Sequence, residues 1–159
     1  MAASRSISRN VASVVSAGSI VSSLLTVQTS GRGFLDLTAD IAEFIREAGA
    51  VEGQVTVFIR HTSASLTIQE NADPTVLADL TAALDHLAPE DARWSHDTEG
   101  PDDMPAHVKT MLTATSLQIP VIKSKLMLGT WQAIYLIEHR RRAHAREVVV
   151  QFVGKTSLS

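Results

Sequence analysis

Apolar positions recur along this chain in two rhythms, and the switches between them mark out its elements. Residues 23–36 hold two extended, apolar-containing pieces around Ser30-Gly-Arg-Gly33, a sequence suited to a hairpin or bulged turn. Ile41, Phe44, Ile45 and Ala48 then recur at helical spacing. Thr38 is placed to cap that helix, and Gly49 to end it in the left-handed conformation. Residues 54–60 and 64–69 alternate with β-branched and aromatic side chains, as half-buried strands do. Asp73-Pro74 opens a second helix, in which Leu77, Leu80, Leu84 and Leu87 form an expected buried stripe, and Pro89 stops it. A third helix starts at residue 103 or 104 with Pro105 and runs to about Ser116. Strands follow at 117–122, 126–128, 133–139 and 147–153, joined by hairpin-like connections.

Strands outnumber helices and are mostly consecutive, so the pattern predicts an α+β fold: one compact domain with about three helices and a largely antiparallel or mixed sheet. With 159 residues, 45% of them hydrophobic and 19% charged, the chain can bury a core of its own. Residues 1–20 differ in texture, with Ser4, Ser6, Ser8, Ser13, Ser16 and Ser19 set among small residues. The first acidic residue is Asp36. We read 1–20 as a flexible Ser-rich extension, or alternatively a removed targeting segment, and 21–159 as the domain. The apolar stretch between Val11 and Val27 is broken by Ser and Gly, too short and too polar for a membrane span.

A net charge of −3 gives no global basic field, and aromatic residues at 4% supply few stacking surfaces. Both argue against nucleic acid as a partner. The absence of cysteine excludes a disulfide framework and thiolate metal sites, so a transition metal would need His and carboxylate ligands. It also fits a reducing cytoplasm.

Chemistry-bearing residues gather in three segments. The first runs His61-Thr-Ser-Ala-Ser65; the second, His96-Asp-Thr-Glu-Gly-Pro-Asp-Asp-Met-Pro-Ala-His107; the third, Glu138-His-Arg-Arg-Arg142. His96 lies in a long acidic loop (residues 88–104) and His107 in the first turn of the third helix. Gly100, Pro101 and Pro105 would let the loop fold back and bring the two imidazoles together. By spacing alone they are as well read as surface residues. His61 precedes Thr62, Ser63 and Ser65, but neighbours on a strand point to opposite faces and no nucleophile-elbow motif is present. The hydroxyls therefore read as substrate-binding or strand-end groups. Arginine forks at 140–142 match phosphate oxygens, with Gly129-Thr130 and Trp131 offering backbone approach and a flat ring; the same run also reads as a solvated turn. His86 and His144 read as surface residues.

Taken together, residues 58–74, the 96–109 segment, Leu128-Gly-Thr-Trp-Gln132 and Glu138-His-Arg140 resemble the YjbQ family, often described as secondary thiamine-phosphate synthase. Ala133 and the lengthened run Arg140–Arg142 are small departures from its pattern. The resemblance implies a homotrimer and a site near subunit contacts that holds a divalent metal, zinc first and magnesium or manganese next. It implies His61, His96 and His107 as ligands, with His61, Glu70, Glu99 and Glu138 as catalytic candidates. Ser63, Ser65, Thr130, Trp131 and Arg140 would bind substrate or anion. The implied reaction joins a pyrimidine carried as its pyrophosphate ester to a thiazole phosphate, releasing pyrophosphate. A trimeric protein that binds a phosphorylated metabolite without turnover is the alternative.

Overall fold

Valines and isoleucines at alternate positions build the centre of the molecule. The computed structural model describes residues 8, 9 and 11–157. Its elements are β1 (Ser19–Gln28), β2 (Gly33–Asp36), α1 (Thr38–Glu47), β3 (Ala50–Ile59), β4 (Ala64–Glu70), α2 (Pro74–Leu87), α3 (Asp103–Leu112), β5 (Ser116–Ile122), β6 (Lys125–Leu126), β7 (Gln132–Glu138) and β8 (Ala145–Thr156). Five strands form one sheet in the order β1-β8-β3-β5-β6, and three form a second in the order β2-β7-β4; every pair is antiparallel. Val55, Val57, Val148, Val150 and Phe152 from the first sheet meet Leu66, Ile134 and Leu136 from the second, with Ile41, Phe44 and Ile45 of α1. This is the α+β domain that the periodicity predicts.

The sheet takes up Ser19 and Ile20, so ordered pairing begins two residues before the expected boundary. Residues 1–7 and 10 of the predicted flexible extension lie outside the described residues. Among the described residues, no helix is long and apolar enough to cross a membrane.

Several local expectations are corrected. The segment around Ser30-Gly-Arg-Gly33 is not a hairpin, because β1 and β2 belong to different sheets. Gly31 has φ +124°, and a Cβ there would stand 2.7 Å from the Arg141 carbonyl, so close backbone approach explains this glycine. Among the last strands only β5 and β6 form a hairpin; the chain changes sheet between β6 and β7 and again between β7 and β8. Leu37, not Thr38, is the N-cap of α1. Asp36 accepts the Thr38 N–H at 2.8 Å, and the Thr38 hydroxyl accepts the Ile134 N–H at 2.9 Å. Gly49, at φ +60°, does end that helix.

In α2, Leu77, Leu80 and Leu84 are only half-buried and Leu87 is 62% exposed. The leucine stripe is real, but α2 lies on the outside of the domain against α3 rather than in the core. α3 stops at Leu112, earlier than its periodicity predicts.

Candidate functional site

A carboxylate and an imidazole four residues apart on a helix share a face, and α3 begins with that pair, Asp103 and His107. The loop of residues 88–102 folds back so that His96 joins them. Its Nε2 lies 2.8 Å from Asp103 Oδ2, and His107 Nε2 lies 3.4 Å from the same oxygen. The two rings are 5.6 Å apart between centroids, and one ligand atom from each of the three residues falls within 4.8 Å of the others. His107 Nδ1 donates to the Thr62 carbonyl at 2.9 Å. That bond fixes the ring's orientation, with the Nδ1 proton on the carbonyl and Nε2 directed at Asp103, the arrangement in which a backbone carbonyl orients a metal-binding histidine.

Asp103 itself is buried, and its other oxygen, Oδ1, accepts from Arg140 Nη1. Two imidazole nitrogens and one carboxylate oxygen are a donor set that zinc accepts, and three protein ligands leave positions open for substrate. The residues present therefore fit a divalent cation. Sequence reading singled out His96 and His107 but not Asp103 as a ligand; its position one turn before His107 was the available signal.

Arg140 does not stand free for an anion. Its Nε donates to Asp102 at 3.2 Å and its Nη2 to the Glu99 carbonyl at 2.8 Å, in addition to the bond to Asp103. Arg141 reaches Glu90 through its side chain and Asp102 through its amide. Arg32 also pairs with Glu90. Glu90, Asp102 and Asp103 thus neutralise Arg140 and Arg141 of the turn after β7, and these arginines act as clamps that hold the loop carrying His96. Burial would raise the Asp102 pKa, yet the Arg141 amide and Arg140 outweigh it and hold the carboxyl below its usual range. Glu99 contributes its backbone carbonyl to this clamp, while the residue itself is exposed.

Glu138 is likewise occupied. Completely buried, its carboxylate accepts from Arg146 Nη2 at 2.6 Å and Nε at 2.7 Å, from Thr29 Oγ1 at 2.9 Å and from the Arg140 amide at 2.9 Å. Burial opposes ionisation, but the bonds and charge of Arg146, with those from Arg140 and Thr29, keep the pKa below the ordinary carboxylate value. Arg146 also donates to Ser63 Oγ at 3.1 Å.

His61 is not in the His96–Asp103–His107 group. Its Nε2 accepts the Glu147 N–H at 2.8 Å, and Arg146 Nη1 lies 3.4 Å from Nδ1. Burial and the Arg146 charge lower its pKa, which keeps it neutral. Ser65 is fully buried with its Oγ 2.8 Å from His139 Nε2, and accepts from Thr113 Oγ1 at 2.6 Å. Burial, then the charge of Lys109, push His139 down to about 4. The sequence places His139 in the third polar segment but gives it no role, and offers no sign of the ion pair between buried Lys109 and half-exposed Asp85, since nothing in their spacing shows burial.

The remaining candidates lie elsewhere. Cross-strand register sets Ala64 opposite Glu138 and Glu70 opposite Gln132, so Glu70 sits at the far end of the β4–β7 pair. Six residues of strand separate the two ends, about 20 Å. Trp131 and Thr130 immediately precede Gln132 and are exposed there, with the Trp131 carbonyl accepting the Asn71 N–H. Within one chain, then, Glu70, Thr130 and Trp131 do not join Arg140 at a common seat.

Fold and site together define an α+β protein of two antiparallel sheets with a His2Asp cluster where a long acidic loop meets a helix. The chain belongs to the YjbQ family: the model of UPF0047 protein YjbQ-like sequences matches residues 23–155. It is 49% identical over 133 residues to UPF0047 protein sll1880 of Synechocystis, covering 83% of this chain and 90% of that one. To UPF0047 protein YjbQ of Salmonella typhimurium it is 40% identical over 132 residues, covering 82% and 96%. A crystal structure of a YjbQ/UPF0047 family protein from Clostridium acetobutylicum superposes with a TM-score of 0.74 at 36% identity, covering 83% of this chain and 98% of that one.

Proposed function

We propose that this protein is a divalent-metal-dependent enzyme acting on a small phosphorylated metabolite, with the cation held by His96, Asp103 and His107. The observation that carries the reading is the convergence of three ligand atoms within 4.8 Å, one of them on a histidine whose other nitrogen is already fixed by the Thr62 carbonyl. Zinc suits this nitrogen-rich donor set better than magnesium, which prefers oxygen ligands. A cation bound there would supply Lewis-acid polarisation and charge neutralisation for a phosphate or pyrophosphate group. Asp103 holds its place through Arg140, and Arg140 through Asp102 and Glu99, so the loop clamp sets the geometry of the site. The family resemblance makes the pyrophosphate-releasing union of a pyrimidine and a thiazole phosphate the first reaction to test.

Self-association as a homotrimer belongs to the same proposal. Leu24, Val149 and Phe58 stand side by side in register across β1, β8 and β3; Leu24 and Phe58 are 48% and 44% exposed, which gives the five-stranded sheet an apolar outer strip for a second copy to cover. A cytoplasmic location fits the absence of cysteine.

One observation favours a binding protein without turnover: Glu138 has four hydrogen-bond donors on it and His61 Nε2 holds a backbone N–H, so neither is free to move a proton. Zinc-loaded protein given the pyrimidine pyrophosphate ester and the thiazole phosphate should release pyrophosphate, and His107→Ala should abolish that release while the fold persists. Saturable metabolite binding with no pyrophosphate would establish the binding role. Metal analysis and calorimetry that detect no cation bound by the wild-type protein would overturn the cation site.

A further inference from the structure

His96 faces two surroundings: Asp103 on one side, and on the other an open cleft of about 400 Å3 lined by Glu90, Arg93, Trp94, His96, Asp97 and Pro101, with Ala92 and Gly100. That volume falls in the range that holds small-molecule ligands. Its charged lining is unequal in a telling way. Glu90 is neutralised by Arg32 and Arg141, whereas neither Arg93 nor Asp97 makes an ion pair among the described residues. Trp94 is half-buried, and its indole Nε1 donates to the Pro89 carbonyl at 3.1 Å, so the ring is pinned to the loop rather than free to swing. Loops of this length that carry a fixed aromatic and free charges are common binding elements.

We infer that this cleft is the seat for the metabolite's ring: a flat nitrogen heterocycle packs against Trp94, its phosphate lies between Arg93 and the cation at His96, and Asp97 accepts an N–H or amino group of the ring. The inference rests on the cation site proposed above. Each part of the ligand has a partner of matching chemistry. An arginine fork suits phosphate oxygens, an indole suits a flat ring, and a carboxylate accepts from amino groups. Within one chain the cleft also supplies the aromatic group that Trp131, at the far end of the β4–β7 pair, does not bring to the site.

The chain has two tryptophans, so Trp131→Phe leaves Trp94 as the sole indole reporter. Thiamine phosphate, which carries an aminopyrimidine, a second ring and a phosphate, is the probe. Zinc binding is followed in parallel by calorimetry. Titrating the zinc-loaded single-tryptophan protein should quench or shift Trp94 emission. Arg93→Ala should weaken the probe about tenfold or more while zinc affinity stays within about twofold; Trp94→Leu, read by calorimetry, should do the same. Zinc binding with silent Trp94 emission at millimolar probe, or an Arg93→Ala protein that binds the probe as tightly as before, overturns the cleft and leaves the cation site standing. Absence of zinc binding with Trp94 still quenched by the probe overturns the cation site and keeps the cleft as a ring-and-phosphate site. Absence of both effects overturns both.

Discussion

Replacing Glu138 with glutamine distinguishes a reacting carboxylate from a buried anchor. The carboxylate has about four acceptor positions, and four donors fill them: two from Arg146, one from Thr29 and one from the Arg140 amide, all at 2.6–2.9 Å. Glutamine turns one oxygen into an NH2 group, so at least one donor would meet another donor. It also leaves the Arg146 guanidinium, 4% exposed, without its counter-charge. Breaking a buried pair from one side costs about 3–5 kcal/mol. With a urea slope of about 2 kcal/mol/M for a domain of this size, the denaturation midpoint should fall by about 1.5–2.5 M. Glu138→Leu combined with Arg146→Met removes both charges and should recover most of that loss. A Glu138→Gln protein that keeps its midpoint within about 0.5 M of wild type yet loses all turnover would refute the anchor argument and return Glu138 to the reacting groups.

Three further expectations follow from named contacts. Calorimetric zinc titrations of His96→Ala, Asp103→Asn and His107→Ala should each show affinity reduced about tenfold or more, whereas His61→Ala, whose Nε2 serves the Glu147 amide, should bind zinc within a few-fold of wild type; equal losses at all four would put His61 back among the ligands. His139 has a folded-state pKa of about 4 against an ordinary value near 6.5. The unfolded chain therefore takes up the proton first as pH falls, and stability declines between about pH 6.5 and 4, by up to about 3 kcal/mol, with full stability above that window. His139→Asn should flatten this part of the urea-midpoint profile, and an unchanged slope would assign the loss to other groups. Gly154→Ala should lower the thermal midpoint, because a Cβ there would stand 2.3 Å from the Glu52 carbonyl and 2.7 Å from the Phe152 ring; an unaltered midpoint would mean that β3 and β8 yield without cost.

Much of the fold was legible because local rules and tertiary packing agree. The alternation in residues 54–60 and 64–69 corresponds to β3 and β4, the Asp73-Pro74 pair does start α2, and the Ile41–Phe44–Ile45 face of α1 lies in the core. The Asp73 carboxylate accepts the Thr75 N–H at 2.9 Å, as a capping side chain should. Legibility failed where the partner of an element is distant in sequence. Periodicity reports that α2 has an apolar stripe but not how deeply it is covered, and a glycine-rich turn looks alike whether the next strand pairs back or crosses to another sheet.

The site divides along the same line. Glycine and prolines between His96 and His107 allow the loop to return, but spacing alone leaves them equally readable as surface residues, and it is the family resemblance that marks them as ligands; the run from Glu138 to Arg142 is legible as a charged turn after a strand. Only the packed chain decides that Asp103 completes the cluster, that His61 points its nitrogen at a backbone amide, and that Arg140 clamps the loop. The physical reason is range. Capping, helical period and turn chemistry act over a few residues and are written in local sequence, whereas ion pairing and desolvation depend on contacts such as Arg140 with Asp102, 38 residues apart, which exist only once the chain has closed.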